Sequence, residues 1–256
     1  MAEKSKPKTA KARMSLAETM SALEAAGSEQ TRKTYLRHGA SEPLFGVSFA
    51  SLKGLLKAIG VDHELACALW DTGNSDARNL AVKIADPVRM TPADFEGWAR
   101  TGAARSCTSY VAMLASEGAH GLPLAKTWLG SAEPGDRVIG WSLVGALAMG
   151  DASTGDTWFV ERLGDIEKSI HSAPNAQRLP MNQSLISIGC RNPALRAFAM
   201  EVAGRIGKVS IDHGDTACKT PNAAEYIEKA WTHSLAKGFD SPAAHEHSRE
   251  SMRLRC

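Results

Sequence analysis

Apolar residues recur along this chain at three- and four-residue intervals, and short polar turns break the runs. Residues 62–87, DHELACALWDTGNSDARNLAVKIADP, carry the pattern most clearly. Asp62 is placed to cap a helix with Leu65, Ala66 and Leu69 on one stripe, and Gly73 to end it, because glycine accepts the left-handed backbone that closes many helices. Asp76 is placed to cap the next helix, where Ala77, Leu80, Ala81, Ile84 and Ala85 share one face. Asp86-Pro87 stops it. A hairpin of this size cannot bury its own apolar face, but stacked hairpins can, which is the logic of a helical-repeat array.

Further segments repeat the theme. Leu16, Thr19, Met20 and Leu23 form a stripe before Gly27, and residues 29–37 make a short charged helix. Gly46-Val47 leads to Ser48, a cap for a helix through Ile59. Thr91-Pro92 opens a helix with Phe95, Trp98 and Ala99 on its buried side. Cys107, Val111, Leu114 and Ala115 mark the next, and Leu124, Ala125, Trp128 and Leu129 another. Asp136 opens the most apolar helix, and Phe159, Leu163, Ile166 and Ile170 follow in the next. Pro180 starts or kinks the segment holding Leu185, Ile186 and Ile188. Asn192-Pro193 and Thr220-Pro221 open the last two, and Trp231 lies in the second of them. About a dozen helices result; Val209–Ile211 is extended but too short to found a sheet. The pattern predicts an all-α array of HEAT-like repeats over residues 15–237, an α-α superhelix with a concave groove. Residues 1–14 read as a disordered basic tail and residues 238–256 as a disordered C-terminal tail.

Composition changes this picture little. Lys+Arg is 30 and Asp+Glu is 28 in 256 residues, so the net charge of +2 does not by itself argue for nucleic acid. Its distribution is more telling: residues 1–60 carry +5, residues 61–160 carry −5 and residues 161–256 carry +2. Five cysteines without a pairing pattern fit a reducing cytosol, with Cys67, Cys107 and Cys190 as small buried hydrophobes. The longest apolar run, Val138–Met149, is shorter than the ~20 residues a membrane span needs. No signal-peptide core follows the lysine-rich start, and localisation is expected to be cytoplasmic.

Four passages carry a resemblance. They are PLFGVSFASLKGLLKAIG (43–60), LWDTGNSDARNLAVKIADP (69–87), GWSLVGALAM (140–149) and IDHGDTACKTPNAAEYI (211–227). Together they make the chain similar, over roughly residues 16–234, to the DNA alkylation repair enzyme family, the AlkD-like glycosylases built from HEAT-like repeats. The resemblance implies an electropositive concave face that holds the DNA backbone. Active members remove cationic N3- or N7-alkylpurines, stabilising the sugar's developing charge with a carboxylate beside tryptophan walls.

At the positions that match the family's Trp-x-x-x-Asp unit this chain has Ala104 and Thr108, and at its second tryptophan Gln183. No Asp or Glu occurs between Glu96 and Glu117, so a shift of register restores nothing; Asp71, Asp76 and Asp136 are the acids that could reach in from elsewhere. A hydroxyl offers no formal charge to an oxocarbenium ion, and loss of one such electrostatic group costs ~10²–10³ in rate. The resemblance therefore implies a protein that binds damaged or branched DNA without strong glycosylase activity. The alternatives are an active alkylpurine glycosylase and a protein-interaction scaffold.

Candidate phosphate ligands are Arg105, Arg137, Arg178, Arg191, Arg196, Lys208 and Lys219, with Arg205 beside them. Most of the six tryptophans read as core. Asp212, His213, Asp215 and Cys218 match no common zinc spacing and read as a polar loop, so no metal and no cofactor is expected. The expected partner of this monomer is DNA, bound through its backbone, with nucleoid association when bound and no membrane.

Overall fold

The computed structural model describes residues 13–101, 105–251 and 253–254, without the side chains of residues 105–108. Fourteen α-helices lie among them. The first five are α1 (Leu16–Ala25), α2 (Glu29–Arg37), α3 (Phe49–Ile59), α4 (His63–Asp71) and α5 (Ser75–Ile84). A 3₁₀ turn, Pro87–Arg89, leads to α6 (Pro92–Thr101) and α7 (Arg105–Ser116). Then come α8 (Gly121–Gly130), α9 (Pro134–Gly150), α10 (Asp156–Ser169) and α11 (Asn175–Gly189). The chain ends with α12 (Pro193–Ile206), α13 (Ala223–Leu235) and α14 (Pro242–His247). Among the described residues the only β-type pairing is an isolated bridge between Gly27 and Val47.

Most predicted starts are built as expected, but the Trp231 helix opens at Ala223 behind Asn222, not at Thr220-Pro221, and α9 opens at Pro134, with Asp136 in its first turn. Side chains of Ser15, Ser28, Ser48, Asp62, Asn192, Asn222 and Ser241 each accept an N–H from the first turn of the helix they precede. Thr91 and Asp94 exchange hydrogen bonds across the start of α6, which holds the Asp94 carboxyl below its ordinary range. Pro180 is accommodated inside α11 and does not start it.

Helices α5, α7, α9, α11 and α13 pack one on the next as an inner row, and α4, α6, α8, α10 and α12 lie against them as an outer row. This is the stacked-hairpin architecture of HEAT-like repeats. Helix α9 is its hub, and α5 is buried at every position except Arg78. Trp70, Trp98, Trp128, Trp141 and Trp231 are core residues, as their spacing predicted. Close approach requires a glycine at the end of α11: a Cβ on Gly189 would lie 2.6 Å from the Ile227 side chain of α13.

Two expectations are corrected. Asn74, not Asp76, caps α5: its side-chain oxygen accepts the N–H groups of Asp76 and Ala77 at 2.9 and 3.1 Å. Asp76 is fully buried and turns back toward the preceding turn, where it accepts the N–H groups of Phe45, Gly46 and Val47 at 2.7, 2.9 and 2.9 Å.

The second correction concerns residues from 238 onward, which continue the fold. Helix α14 packs on α9 and α13, and Ala243 N–H donates to Cys190 O at 3.1 Å. Arg253 is buried, donating to Val82 O and Lys83 O at 2.8 and 2.6 Å and to Glu117 at 2.7 Å, while Lys83 Nζ donates to Arg253 O at 2.7 Å. The polar letters of this segment hide its role, because what they satisfy are the open carbonyls at helix C-termini.

Candidate nucleic-acid interface

A groove of about 680 Å³ opens where α8 and α10 end and where α9 and α11 begin. Lys126, Leu129 and Gly130 come from α8, and Arg137 and Trp141 from the first half of α9. Arg162, Asp165, Lys168 and Ser169 come from α10, and Gln177 and Met181 from α11. Helical spacing explains the grouping: Arg137 and Trp141 are one turn apart, as are Gln177 and Met181, and as are Asp165 and Ser169. Four cationic side chains face one carboxylate, a local excess of +3 on a chain whose total is +2.

The cations are not equivalent. Arg162 Nε donates to Asp165 at 2.7 Å, and its guanidinium lies over Trp158 at 5.3 Å. Arg137 Nε donates to Ser131 O at 2.7 Å, which fixes its orientation. Lys126 and Lys168 are exposed, and no ion pair engages either among the described residues. Trp141 is buried and stiffens the floor, and Gln177 bonds Pro134 O at 3.3 Å across the α9–α11 gap. Such a surface can hold successive phosphates by charge and hydrogen bonding.

Of the residues expected to contact phosphate whose side chains are described, Arg137 lies in this groove and the others do not line it. Arg178 donates to Ala173 O and Ser210 O at 2.8 and 3.0 Å, fastening the 209–222 loop to α11. Arg191 sits at the C-terminal end of α9, donating to Leu147 O, Ala148 O, Asp151 O and Thr154 O at 3.3, 3.1, 2.6 and 2.8 Å, with Phe159 below it at 4.7 Å. Every one of those oxygens is internal, so Arg191 is a structural clamp. Arg196 bonds Glu228 at 2.7 Å and covers Trp231, and Arg205 pairs with Glu167 at 2.5 Å. Lys208 and Lys219 are exposed beyond α12. Lys126, Arg162 and Lys168 were missed because the outer helices that carry them show no basic run in the sequence.

Ala104 lies outside the described residues, and so do the side chains of Arg105, Cys107 and Thr108. Gln183 is exposed on α11. The three acids that could have supplied a carboxylate are otherwise engaged or remote from the groove. Asp76 is consumed by three backbone amides. Asp136 accepts from Ser131 Oγ at 2.8 Å and lies 4.0 Å from Arg100. Asp71 is exposed at the end of α4. In the 209–222 loop His213 meets Thr220 at 3.0 Å and Asp212 holds Gly214 N–H at 2.8 Å. Among the described residues no group of three or more His, Cys, Asp or Glu is arranged to hold a metal ion. Burial pushes the Cys190 thiol up to about 12, so it stays protonated and inert at neutral pH. No helix among the described residues is long and apolar enough to cross a membrane.

Comparison with known proteins concerns the chain as a whole. The family model described as "DNA alkylation repair enzyme" matches residues 19–227. An uncharacterised protein of Listeria monocytogenes serovar 1/2a is 29% identical over 214 residues, covering 81% of this chain and 93% of the relative. One from Listeria innocua serovar 6a is 28% identical over 218 residues, with the same coverage of 81% and 93%. A solved structure superposes with a TM-score of 0.77 at 31% identity, covering 88% of this chain and 95% of the other. It is described as a new family of proteins related to the HEAT-like repeat DNA glycosylases with affinity for branched DNA structures.

Proposed function

Because the chain belongs to the DNA alkylation repair enzyme family, we propose that it binds DNA through the backbone in the α8–α11 groove and recognises damaged or branched DNA without strong base excision. The observation that carries this reading is the groove itself: Lys126, Arg137, Arg162 and Lys168 converge there around a single carboxylate. That carboxylate, Asp165, is spent on Arg162 at 2.7 Å, so it has little charge to offer an oxocarbenium ion. The 31% identical solved structure, with its described affinity for branched DNA, supports the same class of ligand. The protein works as a monomer without a cofactor, in the cytoplasm, and joins the nucleoid when bound.

The test is binding of a plain duplex and a three-way junction of the same sequence across a salt series, with a base-release assay on alkylated duplex in parallel. Each phosphate held contributes about −0.9 to the slope of log K against log salt on duplex DNA. A steep slope, preference for the junction and negligible base release are expected. Binding indifferent to salt would overturn the backbone reading. Release of alkylpurine at the rate of an active glycosylase would restore the enzyme reading.

A further inference from the structure

Residues 243–251 and Arg253 lie along the C-terminal ends of four inner helices in reverse chain order. Ala243 N–H bonds the last carbonyl region of α11 at Cys190, and α14 lies on α9. Ser251 and Arg253 bond Glu117 just past α7, and Arg253 bonds Val82 O and Lys83 O in the last turn of α5. We infer that this segment is a clamp that fixes the spacing of the inner row, and through it the width of the groove, with Arg253 as the residue that locks it.

The segment is tied at each step: Ala243 N–H to Cys190 O, α14 on α9, and Arg253 to Glu117 and to the last turn of α5. The ends of α5 and α7 therefore cannot separate without breaking the bonds of Arg253. Those bonds are well protected, because the side chain is only 3% exposed and its charge is met by Glu117 and two helix-end carbonyls.

Two of these four helices, α9 and α11, carry the groove at their other ends, and α7 packs directly on α9. Arg137 and Trp141 lie in the first half of α9, whereas Ala146 and Gly150, which line the small cavity beside the clamp, lie in its second half. Gln177 and Met181 lie at the start of α11, whereas Cys190 follows its end. The helices pack rigidly side by side, so restraint at one end limits their relative tilt at the other. The consequence for DNA rests on the groove reading above; the clamp itself does not.

The test uses the full chain with spin labels at Asp71→Cys and Glu225→Cys, two exposed sites at the groove-side ends of α4 and α13, and with reactive native cysteines changed to serine. Distance distributions are compared for the labelled parent, Arg253→Ala, Arg253→Lys and a chain ending at Glu250, after circular dichroism has verified helix content. The distribution is expected to broaden in the Ala and truncated forms and to broaden less in the Lys form. Duplex affinity should fall about 10-fold with an unchanged salt slope. If Arg253→Ala does not fold, Arg253→Lys carries the comparison. An unchanged distribution in a folded variant overturns the clamp. Broadening without any loss of affinity overturns its link to the groove. A parent protein that binds no DNA refutes the groove reading, while the distance measurement still decides the clamp.

Discussion

The Asp76 carboxylate accepts the Gly46 N–H at 2.9 Å, across 30 residues of chain. It takes the flanking amides of Phe45 and Val47 as well, so one buried acid organises the turn between α2 and α3 and fastens it to α5. Gly46 has φ +81, and a Cβ there would lie 2.5 Å from the Arg32 nitrogen. The Phe-Gly-Val turn and the buried acid are thus one device, and both halves are needed.

Asp76→Ala leaves three backbone amides, two of them buried, without an acceptor and should destabilise the fold by about 3–5 kcal/mol. Asp76→Asn, which keeps two of the possible bonds at most, should lose less. Urea unfolding followed by circular dichroism measures both. A loss below about 1 kcal/mol for the alanine variant would contradict the role assigned to this carboxylate.

Arg191→Ala should lower stability by about 2–4 kcal/mol, because two carbonyls in the last turn of α9 and two in the turn after it lose a shared cationic donor. Arg191→Lys should recover little, since an ammonium cannot reproduce the spread of a guanidinium fork. In variants that remain folded the salt slope of DNA binding should not change. A flattened slope would return Arg191 to the phosphate-contacting set.

Replacing Lys126, Arg137 and Lys168 together by alanine should reduce the magnitude of the duplex salt slope by up to about 2.7, at 0.9 per lost phosphate contact. Weakening should be uniform across sequences, because backbone contacts carry no sequence information. Lys126 and Lys168 are exposed, so their removal should leave thermal stability nearly unchanged. An unaltered slope would mean that DNA lies elsewhere on the protein.

Acid should unfasten the turn after α9. Burial raises the Asp151 carboxyl, but hydrogen bonds from Ser153 and Thr154 outweigh it, and the net shift is downward. A carboxyl with a depressed folded value contributes stability above its unfolded pKa, near 3.9, and loses that contribution as pH falls through the folded value. Asp151→Asn should therefore be less stable than the parent at neutral pH, with the gap closing below about pH 4. A stability difference independent of pH would remove the charge from the explanation.

The sequence by itself determined the all-α class and most helix starts, because three- to four-residue apolar spacing and side-chain caps are local properties of the chain. Ser48, Asp62 and Asn192 cap where their positions predicted. It also determined the family, since the quoted passages encode packing shared along the whole array. Tertiary structure alone decided what each charge does. Arg191 and Arg137 are alike as letters, yet one is sunk in carbonyls and the other faces an open groove. Asp76 has the position of a cap but answers to a turn thirty residues earlier. Arg253 belongs to a polar ending that reads as tail, yet it closes helices 170 residues away. A long charged side chain is assigned by the partners it can reach, and those partners come together only when the helices stack.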